Sequence, residues 1–251
     1  MSTLNVNTIN AATSGQAVAV DVQNPRSNRN LIINGGMQVW QRSTSTASVG
    51  SADAHIADRF RHVTNGAARY TVSKDTDVPA GYGFSNSMKL DCTTVNANSA
   101  ANFVSLEYRI EGQDLQRVCK GTAQAKKLTL SFHVKSPKTG VHIVELFDED
   151  TGSNRHCSMS YTISSANTWQ KIELTFPADT TGAFDNDNNA SLRIFFWMAA
   201  GSDYSSGTLA TSWAAFASAN RAVGQVNCFD STSNDFYITG VQLEVSDYAT
   251  D

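Results

Sequence analysis

The chain has 251 residues, 17% of them Asp, Glu, Lys or Arg, and a formal net charge of −4. That size admits one large β-sandwich with an arm, or two small domains. The charge balance supplies no basic footprint for nucleic acid or an anionic membrane, and no apolar run approaches the ~20 residues that span a bilayer.

The opening residues, MSTLNVNTIN, carry neither a basic n-region nor an apolar h-region, so no signal peptide is expected. Residues 1–29 are rich in Asn and poor in aromatics. Leu4, Val6, Val18, Val20 and Val22 are the apolar positions of two short alternating runs. Such a segment cannot bury a core by itself. It predicts an extended arm that becomes ordered against a partner or a neighbouring subunit.

The globular part is expected over 30–251. It opens NLIINGGMQVWQR, where Leu31, Ile32 and Ile33 predict a short buried strand and Asn34-Gly35-Gly36 a turn or bulge. A polar loop is expected at 43–54, a return to the core at 57–60, and strands at 68–72, 88–92 and 103–110. The stretch 74–87, with its Asp, Pro and Gly, reads as a surface loop, and 110–118 as one or two helical turns.

The clearest β signal is LTLSFHVKSPKTGVHIVELF at 128–147. Leu128, Leu130, Phe132 and Val134 alternate with Thr129, Ser131, His133 and Lys135, the period of a strand with one apolar face. Ser-Pro-Lys-Thr-Gly predicts a reversal, and the return run is apolar throughout. A β-hairpin with one greasy face follows, which needs a second sheet to cover it. His133 and His142 would then face each other across it as a solvent-side pair.

Further strands are expected at 157–163, 169–176, 192–198 and 236–245, the last with a bulge at Gly240. Residues 179–189 form a polar loop. Residues 199–227 read as long and irregular, although Leu209, Trp213 and Phe216 have helix-like spacing. About eleven or twelve short strands with turns between them predict an all-β antiparallel sandwich or barrel. No 20–50-residue period marks a solenoid. Cys92, Cys119, Cys157 and Cys228 form no CxxC pair, which argues against zinc. The even count would permit two disulfides, but the lack of a signal peptide argues for a reducing cytoplasm and free, mostly buried thiols.

Two ends of the globular part carry a resemblance. NLIINGGM at 30–37 is similar to the opening strand of carbohydrate-binding-module-like jelly rolls, and DFYITGVQLEV at 235–245 to their closing strand. With ADRF, SFHVKSPKTG and TWQKIELTF between them, the set resembles modules of bacteriophage virion structural proteins, tail fibre and spike components above all. The resemblance implies an antiparallel jelly-roll β-sandwich with an N-terminal attachment arm. It implies a non-enzymatic virion component, assembled in the host cytoplasm, that docks on other virion proteins and presents loops to a host-surface glycan. Capsid decoration or a head fibre is the alternative within that class, and a glycan-degrading tail enzyme is the rival outside it. Many relatives continue beyond the closing strand. A chain that closes at Asp251 is therefore expected to be a short decoration or adaptor piece rather than a long shaft.

Low charge leaves little repulsion between copies. Together with the arm and the resemblance, this predicts a homotrimer in which Leu4, Val6, Val18, Val20 and Val22 pair with a neighbour. Sugar C–H groups pack on aromatic faces. Trp40, Trp169 and Trp197 lie in or beside apolar runs and are expected in the core. Trp213, with Tyr204 nearby in the long loop, is the best platform, core packing being its competing reading. The run 185–189 offers hard oxygens suited to calcium, but Ala190 and Phe196 stand where glycine and a bidentate Glu belong, so a solvated turn and no metal are expected. Glu107, Glu111, Glu145 and Glu173 are the carboxylates available for hydrolysis. No GxSxG elbow, P-loop or GxGxxG is present, and neither a cofactor nor catalysis is expected.

Overall fold

Alternation of apolar and polar side chains is the rule along most of the chain, and it builds strands. The structure is a computed structural model that describes residues 29–50, 54–66, 68–150 and 154–250. The expected arm at 1–29, with Leu4, Val6, Val18, Val20 and Val22, lies outside these residues except for Arg29. In chain order the strands are β1 (Ser45–Val49), β2 (Ala54–His55), β3 (Phe60–Asn65), β4 (Arg69–Asp75), β5 (Ser87–Thr94) and β6 (Phe103–Glu111). They continue with β7 (Leu128–Lys135), β8 (Gly140–Asp148), β9 (Arg155–Ile163), β10 (Gln170–Phe176), β11 (Ala190–Ala200), β12 (Ala214–Ala215) and β13 (Asp235–Glu244). Among the described residues helix is confined to single turns: α1 (Gly112–Leu115), α2 (Ser202–Ser205) and 3-10 turns at Gln116–Val118 and Ser218–Asn220.

The strands form a six-stranded sheet, β1-β4-β5-β13-β7-β10, and a seven-stranded sheet, β12-β9-β8-β11-β6-β3-β2. All pairings are antiparallel, and β5, β6, β7 and β8 alternate between the two sheets. This is a jelly-roll β-sandwich. Its core is the facing inner surfaces, since each sheet must bury its apolar side against the other. Phe132 of β7 is fully buried and meets Tyr161 and Phe196 of the other sheet edge-on, at 5.3 and 5.2 Å between centroids.

The predicted hairpin at 128–147 is not one. β7 pairs with β10 and β13, whereas β8 pairs with β9 and β11. The 136–139 turn carries the chain from one sheet to the other. Both neighbours of β7 are already taken, so β8 packs against it face to face. A tight turn between two apolar strands serves either arrangement, which is why the sequence pattern does not separate them. His133 and His142 consequently do not face each other. His142 is fully buried in the core, stacked on Tyr161 at 5.3 Å, and His133 is buried on the outer side of β7.

The two ends that carry the family resemblance lie side by side. Leu31 N–H donates to Leu243 O (2.8 Å), and the Asn30 side-chain oxygen accepts from Ile32 N–H (2.9 Å) and Leu243 N–H (3.0 Å). Gly35 crosses the bulge of β13 so closely that a Cβ there would stand 1.9 Å from Val241 O. Leu31–Ile33 therefore does not form the buried strand expected: the segment follows the closing strand, and Ile33 points outward at 57% exposure. Two other expectations are corrected. Residues 43–54 contain β1, which pairs with β4 despite its polar sequence. Residues 209–216 are not helical, because the segment lies along β9 through β12. All four cysteines are free thiols, and Cys92, Cys157 and Cys228 are buried.

Candidate functional site

A sandwich offers two outer faces, and here they differ. On the seven-stranded sheet, Phe147, Phe195 and Trp197 point outward and are covered by the chain's own 201–227 segment. Arg221 from that segment lies over Trp197 (4.8 Å) and Phe195 (5.0 Å), near enough for cation–π attraction. It bonds both oxygens of Glu145 at 2.9 and 3.0 Å. Glu145 also accepts from Trp197 Nε1–H (3.2 Å) and pairs with His156 Nδ1 (3.0 Å).

Glu107 is likewise fully buried and is held by Arg61 (2.7 Å), Arg109 (3.0 Å) and Arg193 (3.3 Å). In register, Phe195 stands between Glu107 and Glu145. Glu111 pairs with Arg59 at 4.0 Å, and Glu173 accepts from Ala249 N–H at 3.1 Å. Each carboxylate considered for hydrolysis is thus committed to a partner.

Trp213 and Tyr204 join different clusters. Trp213 borders the main core, with its Nε1–H donating to Pro177 O (2.8 Å) and its ring 5.4 Å from Lys120 Nζ. That ammonium is buried among Asp148 (2.5 Å), Asp179 (3.2 Å) and the carbonyls of Thr181 (2.9 Å) and Gly182 (2.8 Å). Tyr204 instead lies on the outer side of the seven-stranded sheet, against Phe103 (5.2 Å) and Trp197 (5.6 Å). Trp40 is half-buried against the core and Trp197 is buried outside it, beneath the 201–227 segment. The oxygen-rich 185–189 run spends its carbonyls on the first turn of α1: Gly112 N–H bonds Asn189 O (3.1 Å) and Gln113 N–H bonds Asp187 O (2.9 Å).

The outer face of the six-stranded sheet is built differently. Lys89, Tyr237 and Lys135 occupy one row across β5, β13 and β7. Trp169, just before β10, extends the row, its ring 6.1 Å from Tyr237 and tilted at 68°. This corrects the core assignment of Trp169: the inner positions of β10 are Ile172, Leu174 and Phe176, and Trp169 falls on the other side. Its Nε1–H donates to Asp77 Oδ1 at 2.8 Å, and Lys135 pairs with the other carboxylate oxygen. Lys135 Nζ stands 4.1 Å from the Tyr237 centroid. Lys89 bridges Asp91 and Asp235, 3.6 Å from each. Burial alone would raise the Asp77 pKa, but the bonds from Lys135 and Trp169 outweigh it and hold the carboxyl below its usual value.

Neighbouring strands are spaced by ~4.8 Å, so a row across four of them spans roughly 14 Å. It presents a partly exposed indole with fixed ammonium and carboxylate groups alongside. A surface of this chemistry, an aromatic face beside fixed polar groups, is able to pack an apolar C–H face and hydrogen-bond hydroxyls. Sequence reasoning missed Asp77, Lys89, Lys135 and Tyr237. The available signal was the polar side of the β7 and β13 alternation, and the missing piece was that β13 inserts between β5 and β7.

No protein-family model and no curated protein matches the sequence. Among solved structures, the chain is similar to the enzymatically active domain of tailspike protein 4 of bacteriophage CBA120, with 16% identity and a TM-score of 0.47. That match covers 86% of this chain and 21% of that chain. It is also similar to a family 11 carbohydrate-binding module from Clostridium thermocellum in complex with a β-1,3-1,4-mixed-linked tetrasaccharide, at 14% identity and a TM-score of 0.39, covering 81% of this chain and 98% of that one. A xylan-binding family 22 module from Paenibacillus barcinonensis matches at 15% identity and a TM-score of 0.37, over 75% of this chain and 92% of its own. All three scores lie below 0.5, so none of these likenesses assigns a ligand or an activity to this chain.

Proposed function

We propose that this chain is a non-enzymatic bacteriophage virion component that adheres to a host-surface glycan through the outer face of its six-stranded sheet. The observation that carries the reading is the row Lys89–Tyr237–Lys135–Trp169, with Asp77 fixed beside the indole. The other outer face is filled by the chain's own Arg221 and aromatic rings. The non-enzymatic part of the reading is supported by Glu107 and Glu145, whose oxygens are occupied by arginines. The virion part is supported by the resemblance of the opening and closing segments to phage fibre and spike modules. On this reading the 1–29 arm docks on other virion proteins or on two further copies of the chain.

Affinity electrophoresis through a gel containing the host's surface polysaccharide tests the adhesive claim. Retardation is expected, without new reducing ends on incubation. Unretarded migration contradicts adhesion, and released reducing ends convert the reading to a tail enzyme. Light scattering tests the trimer, since a monomeric mass at micromolar concentration leaves only docking on a different virion protein.

A further inference from the structure

The same outer face continues along β7 from Lys135 to His133, because residues two apart on a strand share a side. The His133 residue is 4% exposed, and neither ring nitrogen has a hydrogen-bond partner. A buried imidazole with both its donor and its acceptor unused is costly, and calls for an explanation. Tyr82 roofs the ring at 4.4 Å between centroids and Phe84 walls it at 5.3 Å, both from the loop before β5. Below lies the bulge at Gly240, where a Cβ would fall 2.5 Å from Phe84 Cζ and 3.0 Å from His133 Nδ1. Lys171 on β10 and the uncharged Thr239 on β13 are in register with His133. Burial first, then Lys171, lowers the His133 pKa and keeps the ring neutral, with one N–H and one lone pair to offer.

Tyr82 is placed otherwise. It is 51% exposed and sits between Gly81 (φ 86°) and Gly83 (φ 74°), where a Cβ on either glycine would meet no atom within 4 Å. The loop ends are pinned: Ser87 Oγ donates to Asp77 O (2.6 Å) and Thr239 Oγ1 to Asn86 O (2.7 Å). Tyr82 is thus flanked by two glycines in open space, between anchored loop ends, where rotation could swing the ring with those anchors in place.

We propose that Tyr82 is a movable roof over a second saccharide subsite, in which an entering pyranose ring replaces the Tyr82 ring over Phe84 and hydrogen-bonds the nitrogens of His133. The inference rests on the glycan-binding reading of this face. A pyranose fits because each hydroxyl is both donor and acceptor, as the neutral imidazole requires, while its C–H face suits Phe84.

The probes are the methyl pyranosides of glucose, galactose, mannose and N-acetylglucosamine at millimolar concentration, against the full chain. The readouts are saturation-transfer NMR and the ring-nitrogen resonances of His133. At least one pyranoside is expected to shift the His133 resonances. Tyr82→Ala is expected to bind it at least as tightly as wild type. His133→Phe, which keeps the ring contacts, is expected to bind about tenfold more weakly. An unmoved His133 resonance overturns the proposal, as does a Tyr82→Ala variant weakened as Trp169→Ala is. Should His133→Phe not fold, the resonance shift and Tyr82→Ala decide. Binding that falls in Trp169→Ala but is unchanged in a folded His133→Phe removes this subsite alone. If no pyranoside and no host polysaccharide binds, the subsite and the adhesive reading fall together.

Discussion

Trp169 and Asp77 are 92 residues apart, yet the indole N–H of one donates to the carboxylate of the other at 2.8 Å. The bond fixes the orientation of a partly exposed ring, and Lys135 fixes the carboxylate in turn. Orientation matters because a ring held in place loses little conformational freedom when a ligand packs on it.

The bond also makes the face acid-sensitive in a defined direction. The folded-state pKa of Asp77 is depressed by its partners, so their contribution is present above the ordinary carboxylate range and is lost as pH falls through the folded value. Glycan adhesion and tryptophan emission are expected to hold steady down to that range and to change only below it. An Asp77→Asn variant removes that step.

Phe132→Ala should cost about 3–5 kcal/mol, the range for truncating a buried aromatic. Phe132 is fully buried and joins the two sheets through Tyr161 and Phe196. A denaturant midpoint unchanged from wild type would show that the β7 face is assigned wrongly.

Lys120→Met should cost a similar amount, about 3–5 kcal/mol, because it strands the buried charge of Asp148, whereas Asp179 keeps Arg155 on both oxygens at 2.8 and 3.1 Å. The double variant Lys120→Met, Asp148→Leu should recover part of the loss, as removal of both members of a buried pair does. A double variant no more stable than the single one contradicts the pairing.

His142 carries a pH signature of its own. Burial lowers its pKa to about 4, against a partial offset from the Lys138 carbonyl. The unfolded chain therefore takes up a proton at this residue near pH 6.5 while the folded chain does not, so stability falls as pH drops from about 6.5 to about 4. At about 1.4 kcal/mol per pH unit the loss is on the order of 3 kcal/mol. His142→Phe should flatten that part of the stability profile in urea titrations at a series of pH values.

How much of this was legible beforehand depends on the range of the interactions. The strands of β7, β9, β10, β11 and β13 were readable because side-chain alternation is local. The Gly240 bulge was readable because glycine inside a strand is a local anomaly. The partner of β8 was not, because a turn between two apolar strands closes a hairpin or bridges two sheets equally well. Trp169 was misplaced for a different reason: its apolar surroundings outweighed strand parity, which with Ile172, Leu174 and Phe176 inward puts residue 169 on the other side. The row on the outer face was out of reach, since Lys89, Tyr237 and Lys135 become neighbours only when the last strand inserts between β5 and β7.

On the proposed function, the outer face of the six-stranded sheet is the adhesive one. Titration calorimetry of the host's surface polysaccharide against wild type, Trp169→Ala and Phe216→Ala tests it most directly. Phe216, 41% exposed on the opposite face, is the matched control. Trp169→Ala is expected to weaken binding at least about tenfold, or about 1.4 kcal/mol, and Phe216→Ala to leave it unchanged. Binding that survives Trp169→Ala and falls in Phe216→Ala would place adhesion on the other sheet and contradict the account.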